Sequence, residues 1–379
     1  MERAGIYVHI PFCRTRCSYC DFATGPHEAA LAERYVAAVA AEISAFTCDG
    51  AAAEIDTVYF GGGTPSLLEP RQLAVILEAV NRRFRVVPGA EVTMEMNPGT
   101  VTAPALREFR ALGVNRASFG AQTFDDRELR RLGRSHTSAD TRRTLEDLRA
   151  AGFDNLSFDL IAGLPEQTLE VWGRNLEEAL ALRPEHLSLY LLEVHEGTPL
   201  HDQIRRGFWR APDPDLAAEM YTLLAEQTRR AGYEQYEISN FARPGRESRH
   251  NLKYWTGEPY YGFGCAAHSF DGRRARWSNE RDPRRYAELI EASGVAVAER
   301  HTLDDAEASA ESLFLGLRLL DRGVNLAEHR ARFRRDVRAE HGEDLRRFAE
   351  AGLLELDGDT LRLTPHGALL SNEVFSAFV

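Results

Sequence analysis

The stretch from Tyr7 to Phe22 reads Y-V-H-I-P-F-C-R-T-R-C-S-Y-C-D-F. Its apolar, β-branched start predicts a strand that ends near Ile10. Three cysteines follow directly at the spacing C-x3-C-x2-C, and they are Cys13, Cys17 and Cys20. Three thiolates in one loop can wrap one compact cluster. The pattern therefore predicts a metal site in the loop after the first strand.

Two kinds of metal site fit this spacing. Zinc would need a fourth ligand, which His9 or His27 could supply. A [4Fe–4S] cluster held by three thiolates instead leaves one iron open for a substrate or cofactor, and we favour this interpretation. Reduced, buried thiols are the remaining alternative. Cys48 and Cys265 lie outside the motif and are predicted to be small buried hydrophobic residues.

Length and charge restrict the classes of function. A chain of 379 residues predicts two or three folding units. Its net charge of −12 argues against broad electrostatic capture of nucleic acid or anionic lipid. Five cysteines are too few for a disulfide framework and favour a reducing compartment. With no signal-peptide pattern and no long apolar run, we expect a cytoplasmic protein without a membrane span.

Six alternations of strand and helix occupy the first part of the chain. The predicted strands are 6–10, 57–60, 92–96, 116–119, 156–161 and 186–191, with helices between them, which is typical of a parallel sheet or a partial barrel. After residue 195 the pattern changes to a helix near 214–231 and a short run at 233–238, and 241–277 is predicted to be loop-rich and aromatic. We therefore expect a core domain at 1–232 and a smaller domain at 233–379.

The tail resembles a winged helix in its predicted layout. Helices near 305–320, 326–333 and 343–351 precede two strands joined by an Asp357-Gly358 turn. However, residues 301–379 hold 10 arginines against 15 acidic residues, and phosphate contacts require an excess of positive charge. The tail is therefore predicted to be a packing module.

Further motifs follow the cysteine loop in order, namely G-G-G-T-P, E-M-N-P, G-A-Q-T-F, D-L-I-A-G-L-P and H-N-L-K-Y-W. Together with the loop they resemble the radical S-adenosylmethionine (SAM) superfamily, in the branch related to oxygen-independent coproporphyrinogen III oxidase. The resemblance implies an α/β fold with a partial (β/α)6 barrel and a smaller C-terminal domain. It also implies a [4Fe–4S] cluster on the three cysteines, with SAM exchangeably bound at the open iron.

Several of these motifs come at predicted strand ends, where barrel proteins bind ligands. Glycines after the strand ending at Phe60 allow close approach of a ligand. Asp159 lies inside an apolar run and must therefore meet a partner or a ligand. By resemblance, the SAM-binding positions are Tyr7, the backbone at Tyr19, Gly62, Gly63, Thr64, Glu95, Gln122, Arg134 and Asp159.

Two groups in this branch differ in function. The oxidase makes protoporphyrinogen by radical decarboxylation, and its motif has a further cysteine where this chain has Phe22. It also has an N-terminal extension, whereas six residues precede Tyr7 here. The chain more closely resembles the haem chaperones, which bind haem and transfer it to acceptor proteins, with respiratory-chain proteins as candidates. Oxidase activity is the alternative and is not expected.

The segment His250-Asn251-Leu252-Lys253-Tyr254-Trp255 matches the H-N-x-x-Y-W motif of those chaperones. A neutral imidazole is a good axial ligand of haem iron, so His250 is the predicted ligand. The two aromatic rings could cover a porphyrin face. The alternative is that this segment caps a turn and packs in the second domain. His195 and His268 are weaker candidates.

Overall fold

The computed structural model describes residues 3–47 and 54–378 of the chain. Up to residue 232, strands and helices alternate as the sequence predicts. Their bounds are β1 Arg3–Ile10, β2 Phe12–Cys13, β3 Gly25–Pro26, α1 Ala29–Ala45, β4 Glu54–Gly62, α2 Pro70–Arg83, β5 Arg85–Met96, α3 Ala103–Ala111, β6 Arg116–Gln122, α4 Asp126–Arg131, α5 Ser138–Ala150, β7 Leu156–Ala162, α6 Leu169–Ala181, β8 His186–Leu191, α7 Pro199–Arg205 and α8 Pro214–Arg230.

Six of these strands form a parallel sheet in chain order. β1 pairs with β4, and β5, β6, β7 and β8 follow in sequence, each parallel to its neighbour. The six predicted alternations are therefore confirmed. Because the strands share one direction, their carboxyl ends all lie at one edge of the sheet.

Local sequence signals set the starts of the helices. Pro70 is the first residue of α2, where its missing N–H costs nothing. At the start of α5, the Thr137 hydroxyl accepts a hydrogen bond from the Asp140 backbone N–H, and the Asp140 carboxylate accepts one from the Thr137 backbone. Apolar helix faces then cover the sheet. Trp172 of α6, for example, is fully buried.

The remaining elements follow α8. They are β9 Glu234–Gln235, β10 Asn240–Ala242, α9 Arg249–Thr256, β11 Tyr260–Phe263, β12 His268–Phe270, β13 Ala275–Asn279, α10 Pro283–Ser293, β14 Val297–Thr302, α11 Asp305–Leu317, β15 Val324–Asn325, α12 Leu326–Phe333, α13 Val337–Glu340, α14 Gly342–Glu350, β16 Leu354–Asp357, β17 Thr360–Leu363, α15 Pro365–Leu369 and α16 Ser371–Phe375.

The prediction of a loop-rich stretch over 241–277 is wrong. This stretch contains α9 and strands β11 to β13, which extend the sheet on the far side of β1. β11 runs parallel to β1, and β12 to β14 are antiparallel to their neighbours. Strands of 4, 3 and 5 residues are too short to show a clear alternation of apolar and polar positions. Helices α7 and α10 were also not predicted.

The sheet continues past residue 232. Strand β10 pairs with β8 at one side of the parallel strands, and β11 pairs with β1 at the other. The tail has a separate apolar cluster and a three-stranded sheet in the order β15–β17–β16. Its predicted helices and hairpin are present. The domain boundary at 232 and the winged-helix layout stay predictions.

The sequence also predicts that Cys48 and Cys265 are buried and that the protein has no membrane span. Cys265 is fully buried, and the Tyr35 hydroxyl donates a hydrogen bond to its sulfur at 3.4 Å. Cys48 lies outside the described residues. Within 3–47 and 54–378, no helix combines the length and apolar character needed to cross a membrane.

Helix α9 is attached to the sheet through the only lysine of the chain. Lys253 is 3% exposed, and its Nζ lies 2.8 Å from a carboxylate oxygen of Asp56 and 2.8 Å from one of Glu258. Asp56 belongs to β4 and is itself buried. Removing Lys253 leaves Asp56 with only the more distant Arg249, whose Nη2 lies 3.5 Å away, and a buried charge that loses its close partner is destabilising. Lys253 therefore helps to hold α9 against the sheet, together with the Glu91 carboxylate, which accepts from the Arg249 and His250 backbone N–H groups.

We expect Lys253→Ala to lower the free energy of unfolding by about 3 kcal/mol, because Asp56 stays buried without its closest cation. Chemical denaturation measures this change. The control is Arg82→Ala, which removes an exposed pair with Glu78 and should barely shift the unfolding midpoint. Equal stability of the two variants would contradict an anchoring role for Lys253.

Candidate functional site

A cavity of about 570 Å³ lies at the carboxyl edge of the parallel strands. This volume is within the range of small-molecule sites. Successive strand ends contribute to its lining, namely Gly62 of β4, Met96 of β5, Gln122 of β6, Ile161 of β7 and Leu191 of β8. The cavity therefore occupies the position at which barrel proteins bind ligands.

Cys13, Cys17 and Cys20 all line this cavity, and none is in a disulfide. Among residues 3–47 and 54–378, no three His, Cys, Asp or Glu side chains are grouped as the ligands of a single metal ion would be. Three thiolates around a cube of four irons need no such convergence, since each binds a different iron. This donor set therefore fits a [4Fe–4S] cluster.

His9, the first alternative zinc ligand, is already engaged. Its Nε2 is 2.9 Å from the Ala23 carbonyl oxygen, and its Nδ1 is 3.1 Å from the Tyr7 hydroxyl. Burial also lowers its pKa. His27, the second alternative, packs edge-on against Phe12. Neither imidazole lines the cavity that the cysteines share.

A chain of hydrogen bonds joins two of the cysteines. The Thr64 hydroxyl donates to the Cys13 sulfur at 3.7 Å and accepts from the Asn97 amide at 2.7 Å. The Asn97 oxygen accepts from the Arg134 guanidinium at 2.7 Å. That guanidinium also donates to the Cys17 sulfur at 3.4 Å. Donors to thiolate sulfur stabilise its negative charge and tune a bound cluster.

The glycines after β4 let the chain pass very close to the cysteine loop. A Cβ at Gly63 would lie 3.0 Å from the Cys13 sulfur and 2.8 Å from the Phe12 carbonyl oxygen. Gly62 has a φ of +116°, which side chains rarely adopt. Both positions therefore require glycine, as the sequence predicts for a close approach.

Glu95 is a buried acid at the end of β5. Its carboxylate accepts hydrogen bonds from the Tyr59 hydroxyl at 2.8 Å and from the Gly62 backbone N–H at 3.0 Å. Burial raises its pKa to about 7, and the nearby Asp159 charge adds to the rise. Within the described ranges it has no ion-pair partner. Such a carboxylate can form an ion pair with a cationic ligand.

Asp159 presents a second buried acid to the same cavity. The Ser118 hydroxyl lies 3.5 Å from its Oδ1, and burial raises its pKa. No ion pair to it is found in the described part of the chain. A hydrogen bond with Ser188 and the nearby charges of Arg116 and Arg134 lower the pKa of Asp159 and so oppose the effect of burial. The protein thus supplies the partners that the sequence requires, and the side chain still lines the cavity, where a ligand can reach it.

Gln122 combines a cavity position with an unusual backbone conformation. Its φ is +65°, in the left-handed region that few side chains adopt. The pairing of β6 with β7 is irregular between Gly120 and Gln122. Backbone strain of this kind is concentrated at functional sites.

The cavity brings together most, but not all, of the predicted cofactor-binding residues. Those lining it are Tyr19, Gly62, Gly63, Glu95, Gln122, Arg134 and Asp159. Thr64 lies beside it, bonded to Cys13. Tyr7 lies below it, where its ring stacks on that of Tyr59 at 6.1 Å.

His250 is placed away from the cavity lining. It is 1% exposed, with Nδ1 2.8 Å from the Thr57 hydroxyl and Nε2 2.9 Å from the Tyr254 hydroxyl. Burial lowers its pKa to about 3, so the ring is neutral. It stacks on Tyr59, whose hydroxyl reaches Glu95, and so lies one layer of side chains below the cavity. To bind iron, His250 would first have to give up one of its two hydrogen bonds.

Several residues that line the cavity were not predicted from the sequence. Asn97 lies inside the E-M-N-P motif, so a signal for it existed. Arg16 and the β8 residue Tyr190 carried no distinct pattern. Arg318 belongs to the C-terminal half, and its approach to the cavity depends on tertiary packing alone.

The chain is similar in sequence to known proteins over nearly its whole length. The family model of the Radical SAM superfamily matches residues 7–179, and that of the HemN C-terminal domain matches residues 303–370. The heme chaperone HemW of Bacillus subtilis (strain 168) is 36% identical over 374 residues, covering 98% of each chain. The chain belongs to the HemW family of radical SAM proteins.

Other members of this HemW family give the same result. The heme chaperone HemW of Mycobacterium tuberculosis (strain CDC 1551 / Oshkosh) is 37% identical over 373 residues, covering 98% of this chain and 93% of its own. Among solved structures, coproporphyrinogen III oxidase (HemN) of Escherichia coli has a TM-score of 0.86 at 23% identity, covering 100% of this chain and 90% of the other. The predicted α/β radical SAM fold with a C-terminal domain is thereby confirmed.

If Glu95 binds SAM as the sequence predicts, the affinity for SAM should rise with pH. Glu95 is half protonated near pH 7, and a ligand ammonium favours its ionised form, so binding should weaken by up to about tenfold per pH unit below 7. Asp159 and Arg116 lie near enough to influence Glu95 and oppose each other in sign. Calorimetry on the cluster-loaded protein between pH 6 and pH 8 measures the slope.

Two variants test whether Glu95, and not another carboxylate, causes the pH dependence of SAM binding. Glu95→Gln should bind SAM more weakly and lose the pH dependence. Glu193→Gln is the control, because Glu193 lies on the same cavity but its side chain is 75% exposed. An unchanged slope in Glu95→Gln would contradict the predicted contact between Glu95 and a positively charged group of SAM.

Proposed function

We propose that this protein is a haem chaperone that binds haem and transfers it to acceptor proteins in the cytoplasm. The observation that carries the proposal is the full-length similarity to proteins named heme chaperone HemW, at 36–37% identity over 98% of this chain. The likeness to the oxidase structure, at 23% identity, concerns the fold alone. Respiratory-chain proteins are candidate acceptors.

Phe22 supports the same choice. It occupies the position of the further cysteine in the oxidase motif, lines the cavity, and is 63% exposed. An exposed aromatic ring can pack against a flat apolar ligand and cannot supply a thiolate. The cavity therefore offers an apolar rim where the oxidase motif has sulfur.

The [4Fe–4S] cluster is assigned to Cys13, Cys17 and Cys20. A cluster held by three thiolates supplies one iron with an open coordination position and one electron at a time. The protein's own groups position and stabilise the cluster. Thr64 and Arg134 donate hydrogen bonds to the sulfurs, and Gly63 allows β4 to pass close to the loop.

SAM is assigned to the part of the cavity beside this loop. Glu95 and Asp159 supply negative charge, which suits the ammonium and sulfonium groups of SAM, and burial strengthens the attraction. The Tyr19 backbone, Gly62, Gly63 and Gln122 line the same space, and so does Arg134, whose positive charge suits the SAM carboxylate while its hydrogen bonds go to Asn97, Gly120 and Cys17. Tyr7 and Thr64 lie just outside this part of the cavity and support the residues that line it.

Cys17→Ala should lose the cluster after anaerobic reconstitution, because two thiolates cannot hold it in the same way. Iron content and the iron–sulfur absorption measure the loss. Cys265→Ala is the control, since Cys265 is a fully buried thiol away from the cavity lining. A Cys17→Ala variant with the full iron content of the wild type would contradict the assignment.

Haem titration tests the chaperone proposal most directly. Wild-type protein should give a Soret band typical of coordinated haem iron, and His250→Ala should lose it. His329→Ala is the matched control, because His329 is another buried, hydrogen-bonded histidine, in the tail. Thermal unfolding of each variant shows whether the fold is retained.

Two results would count against these assignments. No Soret change with wild-type protein would overturn the haem proposal itself. Identical spectra for wild type and a folded His250→Ala would remove His250 as the ligand. His195, whose imidazole lines the cavity, would then be the next residue to substitute.

A further inference from the structure

One arginine of the C-terminal half reaches the cavity that contains the cysteines. Arg318 directly follows α11, within the part of the chain that matches the HemN C-terminal domain. It lines the cavity together with Tyr190 of β8 and Ser239, which precedes β10. The cysteine loop follows β1, and β1 and β8 are at opposite ends of the run of six parallel strands. Arg318 therefore reaches the cavity from the side of β8 and β10.

The guanidinium of Arg318 is held by a fully buried carboxylate. Glu237 is 0% exposed and accepts hydrogen bonds from the Arg318 Nη2 at 3.0 Å, the Ser239 backbone N–H at 2.9 Å and the Asn240 side-chain amide at 2.5 Å. These three donors fix the carboxylate. The carboxylate in turn fixes one end of the guanidinium.

Trp255 fixes the plane of the same guanidinium. The Arg318 Cζ lies 4.3 Å from the centre of the Trp255 ring, which is a cation–π contact. Trp255 is the last residue of the H-N-x-x-Y-W motif. Glu237 accepts from Nη2 alone, and the Arg318 side chain is 24% exposed where it lines the cavity. The guanidinium therefore keeps N–H groups with which it can donate to a second acceptor.

The chemistry of guanidinium selects the group that it would bind. Its planar donors match a carboxylate in two parallel hydrogen bonds. The second cavity arginine, Arg134, already donates to Asn97, to the Gly120 carbonyl and to Cys17. Arg318 is therefore placed to bind an anionic group in the part of the cavity next to Tyr190 and Ser239.

We propose that Arg318 binds a carboxylate of the ligand that enters this cavity. This inference rests on the proposed function, under which the carboxylate is a propionate of haem. Glu237 and Trp255 are positioning residues, which orient the guanidinium and do not touch the ligand.

The experiment compares haem with its dimethyl ester, in which both propionates are uncharged. Full-length wild-type protein should bind haem about tenfold more tightly than the ester, measured by titration of the Soret band. Arg318→Gln should lose about the same factor for haem and show no preference between the two ligands. Arg322→Gln, an exposed arginine four residues further on, should behave as wild type.

Removal of Arg318 also leaves Glu237 buried without its cation, so Arg318→Gln could fold poorly. The double variant Arg318→Gln/Glu237→Gln removes both charges, so that no buried charge is left without a partner. We expect it to fold and to bind the two ligands with equal affinity. Arg318→Lys keeps a charge but not the two parallel donors, and should show an intermediate preference.

The outcomes separate this inference from the function on which it rests. Wild-type protein that binds neither ligand overturns the proposed function, and the inference with it. Wild-type protein that binds haem and the ester equally overturns the inference alone. The same follows if a folded double variant keeps the wild-type preference for haem, since Arg318 would then serve only to join the two halves of the chain.

Discussion

The parallel direction of six strands is the constraint on which the rest of the structure depends. Because every strand ends at the same edge, polar groups far apart in the sequence meet there. Glu95, Gln122 and Asp159 come from three strands and line one cavity. Buried acids in such a position are costly unless a ligand or a hydrogen bond compensates them. The strand ends therefore both create the site and supply its charge.

Periodicity predicted the first part of the fold well. All six parallel strands and the helices around them follow from the alternation of apolar runs, and Pro70 and Thr137 mark helix starts by simple stereochemistry. The stretch 241–277 could not be predicted in this way. Its strands β11 to β13 are short, and they are stabilised by pairing with β1 and with one another, which no local pattern reveals.

Site residues could be predicted where they belong to local motifs, and could not where tertiary packing alone places them. Residues in motifs at strand ends, such as Gly63 and Glu95, were found because a motif and a position agreed. Arg318 was missed because it approaches the cavity only through its ion pair with Glu237, 81 residues away in sequence. His250 was found, but its burial and its bonds to Thr57 and Tyr254 depend on packing that the sequence does not show.

The pairing of Glu237 with Arg318 also has a consequence for the order of synthesis. Translation delivers the cysteine loop first and Arg318 about three hundred residues later. Until then, the Glu237 carboxylate lacks its cation. Within the described residues, the last fifth of the chain adds Arg318 alone to the cavity lining, so the cysteine loop and the strand ends of the radical SAM half are synthesised before the residue that would bind the ligand carboxylate.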